Sequence, residues 1–401
     1  MQLQFSNEIL GIISRLEGAG HEAYVVGGSL RDALLGRPSS DTDMTTSALP
    51  EETATLFSHM RVIPTGIKHG TVTVLTDSGT AVEITTFRTD GAYTDSRHPD
   101  SVSFTRSLEE DLARRDFTVN AMAYAPERGL VDVFGGREDL KNRLIRCVGD
   151  PERRFTEDAL RILRAFRFSA QLGFSIEKNT LCAALKLGDR LSRIARERVC
   201  VELFKLLSSE NPSSTLALMS PIMITVLPEV EIDPARYALC DGLPRDPVTR
   251  LALLISGSGK ATDVAGSLRL SNSDRDRLSR LSVSLNGELP RTPVHARRLL
   301  SDFSSHPEDA VTLVKIDGLL KGRDTRHAEA LLNKELASSP CLTVAALAVN
   351  GGDLMASGLA QGKKIGKILG RLLEAVIEDP SLNEREALIE LAGVLAKENN
   401  L

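Results

Sequence analysis

The sequence predicts an α+β protein: strands and short helices interleaved over residues 1–148, then helices to the C-terminus. Three observations carry this. Short apolar or alternating runs bounded by glycines lie early in the chain, at Ala23–Val26, Val72/Val74 and residues 81–87. From Phe174 onward, helix patterns are broken only briefly, as at Pro221, Pro228, Pro234 and residues 256–259. The 401 residues also suffice for two or more domains with separate cores.

Residues 1–20 read as an amphipathic helix, with Phe5, Ile9, Ile12, Ile13 and Leu16 at helical spacing. The N-terminus has no basic leader, and no apolar run is long enough to span a bilayer. Cys147, Cys182, Cys200, Cys240 and Cys341 form no CxxC pair, which fits free thiols in a reducing cytoplasm. The seven histidines show no metal-ligand spacing. Apolar content is 42%, charged content 26% and net charge -5, as for an ordinary globular protein. That balance argues against an unspecific polyanion binder and leaves room for an RNA enzyme with local basic patches.

The densest stretch is residues 24–47, YVVGGSLRDALLGRPSSDTDMTTS. A buried strand ends at Gly27-Gly28, whose backbone N–H groups can approach an anion closely. Ser29 adds a hydroxyl donor, and a helix begins there whose N-terminus favours phosphate. Asp41 and Asp43, two apart on an extended run, face one point and suit a hard cation such as Mg²⁺. A triphosphate turn beside a paired-carboxylate clamp points to two-metal nucleotidyl transfer. Either part alone is ordinarily a turn or a solvated loop; the combination GG-x-x-RD with DxD nine residues on is far more specific.

The next segments follow in order. Pro50-Glu51-Glu52 looks like a helix start. The run around residues 71–87 reads as a β-hairpin with Glu83 on its second strand, either an exposed strand residue or a third carboxylate beside the aspartates. Lys68 and His69 precede it and could contact phosphate or substrate, though alone they are unremarkable. Residues 87–103 are a mobile loop by composition. Ser107 and Glu110 suggest a capping box, opening a helix that carries Arg114, Arg115 and Asp116 and ends near Asn120. Residues 157–161, EDALR, sit on a predicted helix with Glu157, Asp158 and Arg161 on one face. The plain reading is an intrahelical ion pair. The sharper one is a side-chain template: the carboxylate accepts from the exocyclic amine of C or A, and the arginine donates to a ring acceptor.

These motifs resemble the nucleotidyltransferase motif of the polymerase-beta superfamily. RRDFTVNAMA and EDALR narrow the resemblance to the class II tRNA nucleotidyltransferase and poly(A) polymerase family, and within it to bacterial CCA-adding enzymes, over nearly the full length. The resemblance implies a head with a mixed β-sheet (residues 1–148), a base-templating helical neck (149–207), a helical body (208–318) and a tRNA-binding tail (319–401). It implies catalysis by Asp41, Asp43 and Glu83, with Mg²⁺ on the two aspartates. The nucleotide would be held by Gly27, Gly28, Ser29, Arg31, Arg115, Asp116, Asn120, Glu157, Asp158, Arg161 and Arg164. Glu157 positions Arg161 in this scheme. Arg193 and Arg196 in the neck, and Lys363, Lys364 and Lys367 in the tail, are the implied RNA contacts.

The substrates so implied are CTP, ATP and the acceptor and T-arm of tRNA. An intact 87–103 loop favours CCA- or A-adding activity over CC-adding. Head motifs are shared with A-adding enzymes and poly(A) polymerases, so those readings stay open, as does a remoter one, an RNA-binding protein without catalysis. Monomer and homodimer are both open. Aromatic content of 4%, without tryptophan, fits recognition by shape and phosphate rather than base stacking.

Overall fold

The computed structural model describes residues 3–38, 42–91, 102–283, 288–359 and 361–397, apart from the side chains of Pro64, Thr65, Lys68 and Asp90. Asp41, most of the 87–103 stretch and the Lys68 side chain therefore lie outside the described residues. The chain falls into two compact units, Met1–Glu231 and Ile232–Leu401.

The first unit begins with α1 (Asn7–Gly18), N-capped by Ser6, which buries Ile9, Ile12, Ile13 and Leu16. Then come β1 (Ala23–Val26), α2 (Gly27–Leu34), β2 (Thr42–Thr46), α3 (Pro50–Leu56) and the strands β3 (Arg61–Gly66), β4 (Thr71–Leu75) and β5 (Ala81–Thr86). Pro50 occupies the first turn of α3, where its missing N–H costs nothing. The short strands β6 (Arg88–Asp90) and β7 (Val102–Phe104) precede α4 (Leu108–Ala113), β8 (Ala123–Ala125) and β9 (Gly129–Val131). The remainder is helical apart from two two-residue strands: α5 (Gly136–Lys141), β10 (Leu144–Ile145), α6 (Pro151–Glu157), α7 (Leu160–Leu172), β11 (Ser175–Ile176), α8 (Lys178–Lys186), α9 (Arg196–Leu207), α10 (Ser213–Met219) and α11 (Met223–Val226).

The main sheet has the order β3-β4-β5-β2-β1-β8-β9. It is mixed: β2 and β5 run parallel, and the other neighbours run antiparallel. All four residues of β1 are buried, as suits a central strand. Tyr24, Val26, Phe87, Leu112 and Ala123 form a cluster beneath the sheet's middle.

Three local expectations need correction. The helix expected from Ser107 to near Asn120 ends at Ala113, and Asn120 lies in a separate 3-10 turn, Thr118–Asn120. Tertiary packing overrides local propensity there: Phe117 is fully buried and bridges to Cys147. The capping box is half formed. Ser107 Oγ accepts from the Glu110 N–H, whereas the Glu110 carboxylate accepts from the Thr105 hydroxyl. Finally, the ends of the supposed loop pair as strands, Arg88 opposite Phe104 and Asp90 opposite Val102.

The second unit is helical: α12 (Ala235–Leu239), α13 (Pro247–Ile255), α14 (Ala261–Ser267), α15 (Asn272–Leu281), α16 (Pro293–Asp302), α17 (Glu308–Lys321), α18 (Arg326–Ala337), α19 (Gly351–Ala356), α20 (Lys363–Glu378) and α21 (Arg385–Lys397). Two arginines hold this unit together. Arg297 is buried, pairs with Glu335 at 2.7 Å and caps α20 through the carbonyls of Ile377 and Glu378. Arg277 joins Asp246 to Asp309. Leu354, Ile368, Leu372, Val376, Leu388 and Ala392 form the core of the C-terminal helices.

Candidate active site

The site starts at the junction of β1 and α2. Gly27 takes φ +67°, and a Cβ there would lie 3.1 Å from Asp43 Oδ2. Only glycine combines that backbone with that approach. Ser29 is buried; its hydroxyl donates to Val26 O at 2.9 Å and accepts the Asp43 N–H at 3.2 Å. It thus ties the start of β2 to the glycine turn. Arg31, also buried, donates to both carboxylate oxygens of Asp32 and to Asn120 Oδ1 at 2.8 Å, and lies over the Phe168 ring.

Asp43 and Glu83 are register partners on the parallel strands β2 and β5, so their side chains share one face of the sheet. Oxygen donors of this kind fit a hard divalent cation. Asp41, the other expected ligand, lies outside the described residues. Among the described residues there is no group of three or more His, Cys, Asp or Glu side chains able to hold a metal.

The second wall is the segment after α4. Asp111, fully buried, pairs with Arg114 at 2.7 Å and Arg115 at 3.1 Å. Burial would raise its carboxyl, but the two guanidiniums hold it below the ordinary range. Asp116 Oδ1 accepts the Phe117 N–H at 2.8 Å and Asn120 Nδ2 at 3.2 Å, while Oδ2 receives Arg164. Burial again pushes upward; Arg164, then Arg161 and Asn120, bring the Asp116 carboxyl down to about 2.

The third wall departs from expectation in one respect. EDALR does not lie on one helix, because α6 ends at Glu157 and Asp158 is extended, with φ -137° and ψ 104°. Asp158 Oδ1 accepts the Leu160 N–H at 3.0 Å, so this carboxylate opens α7 and breaks the helix. The Glu157–Arg161 pair forms nonetheless, at 3.0 Å. Arg161 also donates to the carbonyls of Arg154 and Arg114. Asp158 Oδ2 meets Arg198 of α9 at 3.2 Å.

The three walls enclose a cleft of about 570 Å³. Gly27, Gly28, Arg31 and Asp43 line it from the first wall; Arg115, Asp116 and Asn120 from the second; Asp158, Arg161 and Arg164 from the third. Ser29, Glu83 and Glu157 are not part of its lining. Sequence reasoning had not assigned Arg167 and Phe168 to it, nor Arg198 and Lys205. Phe168 bears the guanidiniums of Arg31, Arg164 and Arg167 within 5.4 Å of its centroid. The signal for Arg167 and Phe168 was their place on the face of α7 one to two turns past Arg161.

The expected RNA contacts are elsewhere. Arg193 is exposed in a 3-10 turn, and Arg196 donates to the Val226 carbonyl at 2.7 Å. Lys363, Lys364 and Lys367 are exposed in the second unit. They occupy the N-terminal turns of α20, not a helix C-terminus, and no acidic residue shares its first turn. Positive side chains and the positive helix end thus coincide.

A glycine-turn head with a strand carboxylate, closed by helices bearing arginines, defines a nucleotidyltransferase. Residues 23–146 match the family of the poly(A) polymerase head domain, residues 173–231 the “Probable RNA and SrmB- binding site of polymerase A”, and residues 293–392 the tRNA nucleotidyltransferase domain 2 family. The chain belongs to the family of CCA-adding enzymes: it is 39% identical to that of Leuconostoc mesenteroides over 97% of this chain and 96% of that one. It is 37% identical to that of Geobacillus stearothermophilus, over 95% of each. The crystal structure of the Bacillus stearothermophilus CCA-adding enzyme in complex with CTP superposes with a TM-score of 0.80, at 35% identity over 96% of each chain. The Thermotoga maritima CCA-adding enzyme, complexed with tRNA, shares the fold at a TM-score of 0.67 and 21% identity, covering 98% of this chain and 100% of that one. No helix among the described residues is long and apolar enough to cross a membrane.

Proposed function

We propose that this chain adds C, C and A to the 3′ end of tRNA, using CTP and ATP without a nucleic-acid template and releasing pyrophosphate. The carrying observation is the shared cleft: a carboxylate on β2, a wall of guanidiniums, and Asp158 with Arg161 all open into one space. The family depends on a divalent metal. Mg²⁺ is the ion we assign to Asp41 and Asp43, with Glu83 as a third carboxylate. When bound, that ion would acidify the tRNA 3′-hydroxyl and neutralise charge on the triphosphate.

The chain's own residues supply the rest. The N–H groups of Gly27 and Gly28 and the side chains of Arg31 and Arg115 receive phosphate oxygens. Asp116 holds Arg164 and Asn120 in place, and so sets Arg31 through Asn120. Three Arg161 N–H groups are committed to Glu157, Arg154 and Arg114, which leaves two donors without a partner among the described residues. Cytosine N3 and adenine N1 accept from such a donor, and their exocyclic amines give to Asp158. Uracil and guanine present N–H and carbonyl in the reversed order and meet both groups wrongly.

We assign residues 1–148 as catalytic head, 149–207 as neck, 208–318 as body and 319–401 as tail. Arg193, Arg196, Lys363, Lys364 and Lys367 contact the tRNA acceptor and T-arm, mainly as phosphate contacts that position without reading sequence. The test is single-nucleotide incorporation. On tRNA ending at the discriminator base only CTP should extend, on tRNA ending CC only ATP, and UTP and GTP on neither. Extension of the CC-ended tRNA alone, by ATP, would replace this reading with an A-adding one.

A further inference from the structure

We propose that Arg154 is a positioning residue for base selection, fixing Arg161 and anchoring it to the helix end that carries the phosphate-facing arginines. The inference rests on the reading of Arg161 as a base reader. Arg154 stands on α6, three residues before Glu157. Its Nη2 donates to Glu157 Oε1 at 3.0 Å, which leaves Glu157 Oε2 for Arg161 Nη1, also at 3.0 Å. The Arg154 carbonyl accepts from the same Arg161 Nη1 at 3.4 Å. One residue therefore supplies one acceptor for Arg161 and holds the other.

The anchor is equally specific. Arg154 Nη1 donates to the carbonyl of Ala113 at 3.3 Å, and Arg161 Nη2 to that of Arg114 at 2.9 Å. These are consecutive carbonyls at the C-terminal end of α4, which lacks intrahelical donors there. The next residue is Arg115. Base side and phosphate side thus share one fixed point, and the side chains of Arg154 and Arg161 are mostly buried, at 12% and 10% exposure. Arg153 also reaches Glu157 Oε1, but its side chain is 74% exposed and makes no bond to α4 among the contacts described.

A loosened Arg161 keeps its charge and loses its aim. It then meets the carbonyl oxygens of uracil as readily as cytosine N3, so the predicted defect is in selection rather than turnover. The experiment compares Arg154→Met, Arg154→Lys and Arg161→Ala with the parent chain, measuring kcat/KM for CTP and for UTP on tRNA ending at the discriminator base, with melting temperature alongside. Arg154→Met should lower the CTP:UTP ratio about tenfold, the scale of one buried hydrogen bond. Arg154→Lys, which keeps the charge and one donor, should lie between it and the parent, and serves if the methionine variant does not fold.

If Arg161→Ala changes the ratio while both Arg154 variants lower CTP and UTP use in equal proportion, Arg154 is merely structural and the inference fails alone. A ratio unchanged in Arg161→Ala overturns the base-reading assignment and the inference with it.

Discussion

Arg164 grips a single oxygen of Asp116 with two nitrogens, Nε at 2.7 Å and Nη2 at 2.6 Å. The other oxygen serves the Phe117 N–H and Asn120. All donors to this buried carboxylate come from the walls of the cleft or the turn behind them, so its ionised form is part of the site's framework.

That framework predicts acid lability. The Asp116 carboxyl sits at about 2 when folded, against 3.8 for the ordinary group. A depressed pKa stabilises the fold above the unfolded value, and the contribution is lost as pH falls from about 4 through about 2. The shift corresponds to about 2 kcal/mol. Asp111, also depressed, adds to it. Denaturant unfolding from roughly pH 5 down to pH 2, a span that brackets those two pKa values, should show falling stability. Arg164→Met should move the fall to higher pH; an unchanged profile would contradict the role given to this pair.

Gly27→Ala tests the turn. Left-handed backbone costs a non-glycine residue about 1–2 kcal/mol, and the new methyl would press on Asp43 Oδ2 at 3.1 Å. The variant should fold with a lowered melting temperature and lose more turnover than stability predicts, because Asp43 must shift. Full activity with a normal melting temperature would show that the turn does not need glycine.

Asp43 and Glu83 share a strand register but not, on our account, equal weight. Asp43→Asn should cut kcat about 10³-fold, with tRNA binding by filter retention unchanged. Chelation should abolish activity and Mg²⁺ restore it. Glu83→Gln should raise the Mg²⁺ concentration for half-maximal rate several-fold, with a smaller loss at saturating metal. An unaltered Mg²⁺ titration would make Glu83 an ordinary exposed strand residue.

Asp158→Asn exchanges an acceptor-only group for one that can also donate. Use of UTP should rise relative to CTP by about tenfold, the worth of one hydrogen bond. The same substitution removes the Arg198 ion pair at 3.2 Å, so a fall in melting temperature is expected too. Retained discrimination would move base selection away from this carboxylate.

Much of this was legible in the sequence, for reasons that differ by element. β1, α2 and β2 follow from a glycine-bounded apolar run and strand alternation, signals that are local. α1 follows from a clean helical stripe. The break at Asp158 was not legible: the 157–161 spacing suits a helix, and only the carboxylate's turn onto the Leu160 N–H interrupts it. The end of α4 was hidden likewise, since burial of Phe117 against Cys147 is a long-range event. Nor can spacing tell a structural arginine from a functional one. Arg297 and Arg277 are tied into ion pairs, while Arg167 and Arg198 line the cleft, and no motif in the sequence separates the two sets.

The most direct test offers Mg²⁺, CTP and ATP together to tRNA transcripts ending at the discriminator base, at C and at CC, with products resolved to single nucleotides. The account predicts three, two and one additions respectively, each stopping at CCA. Extension of only the CC-ended transcript, or an adenosine ladder on unrelated RNA, would contradict it.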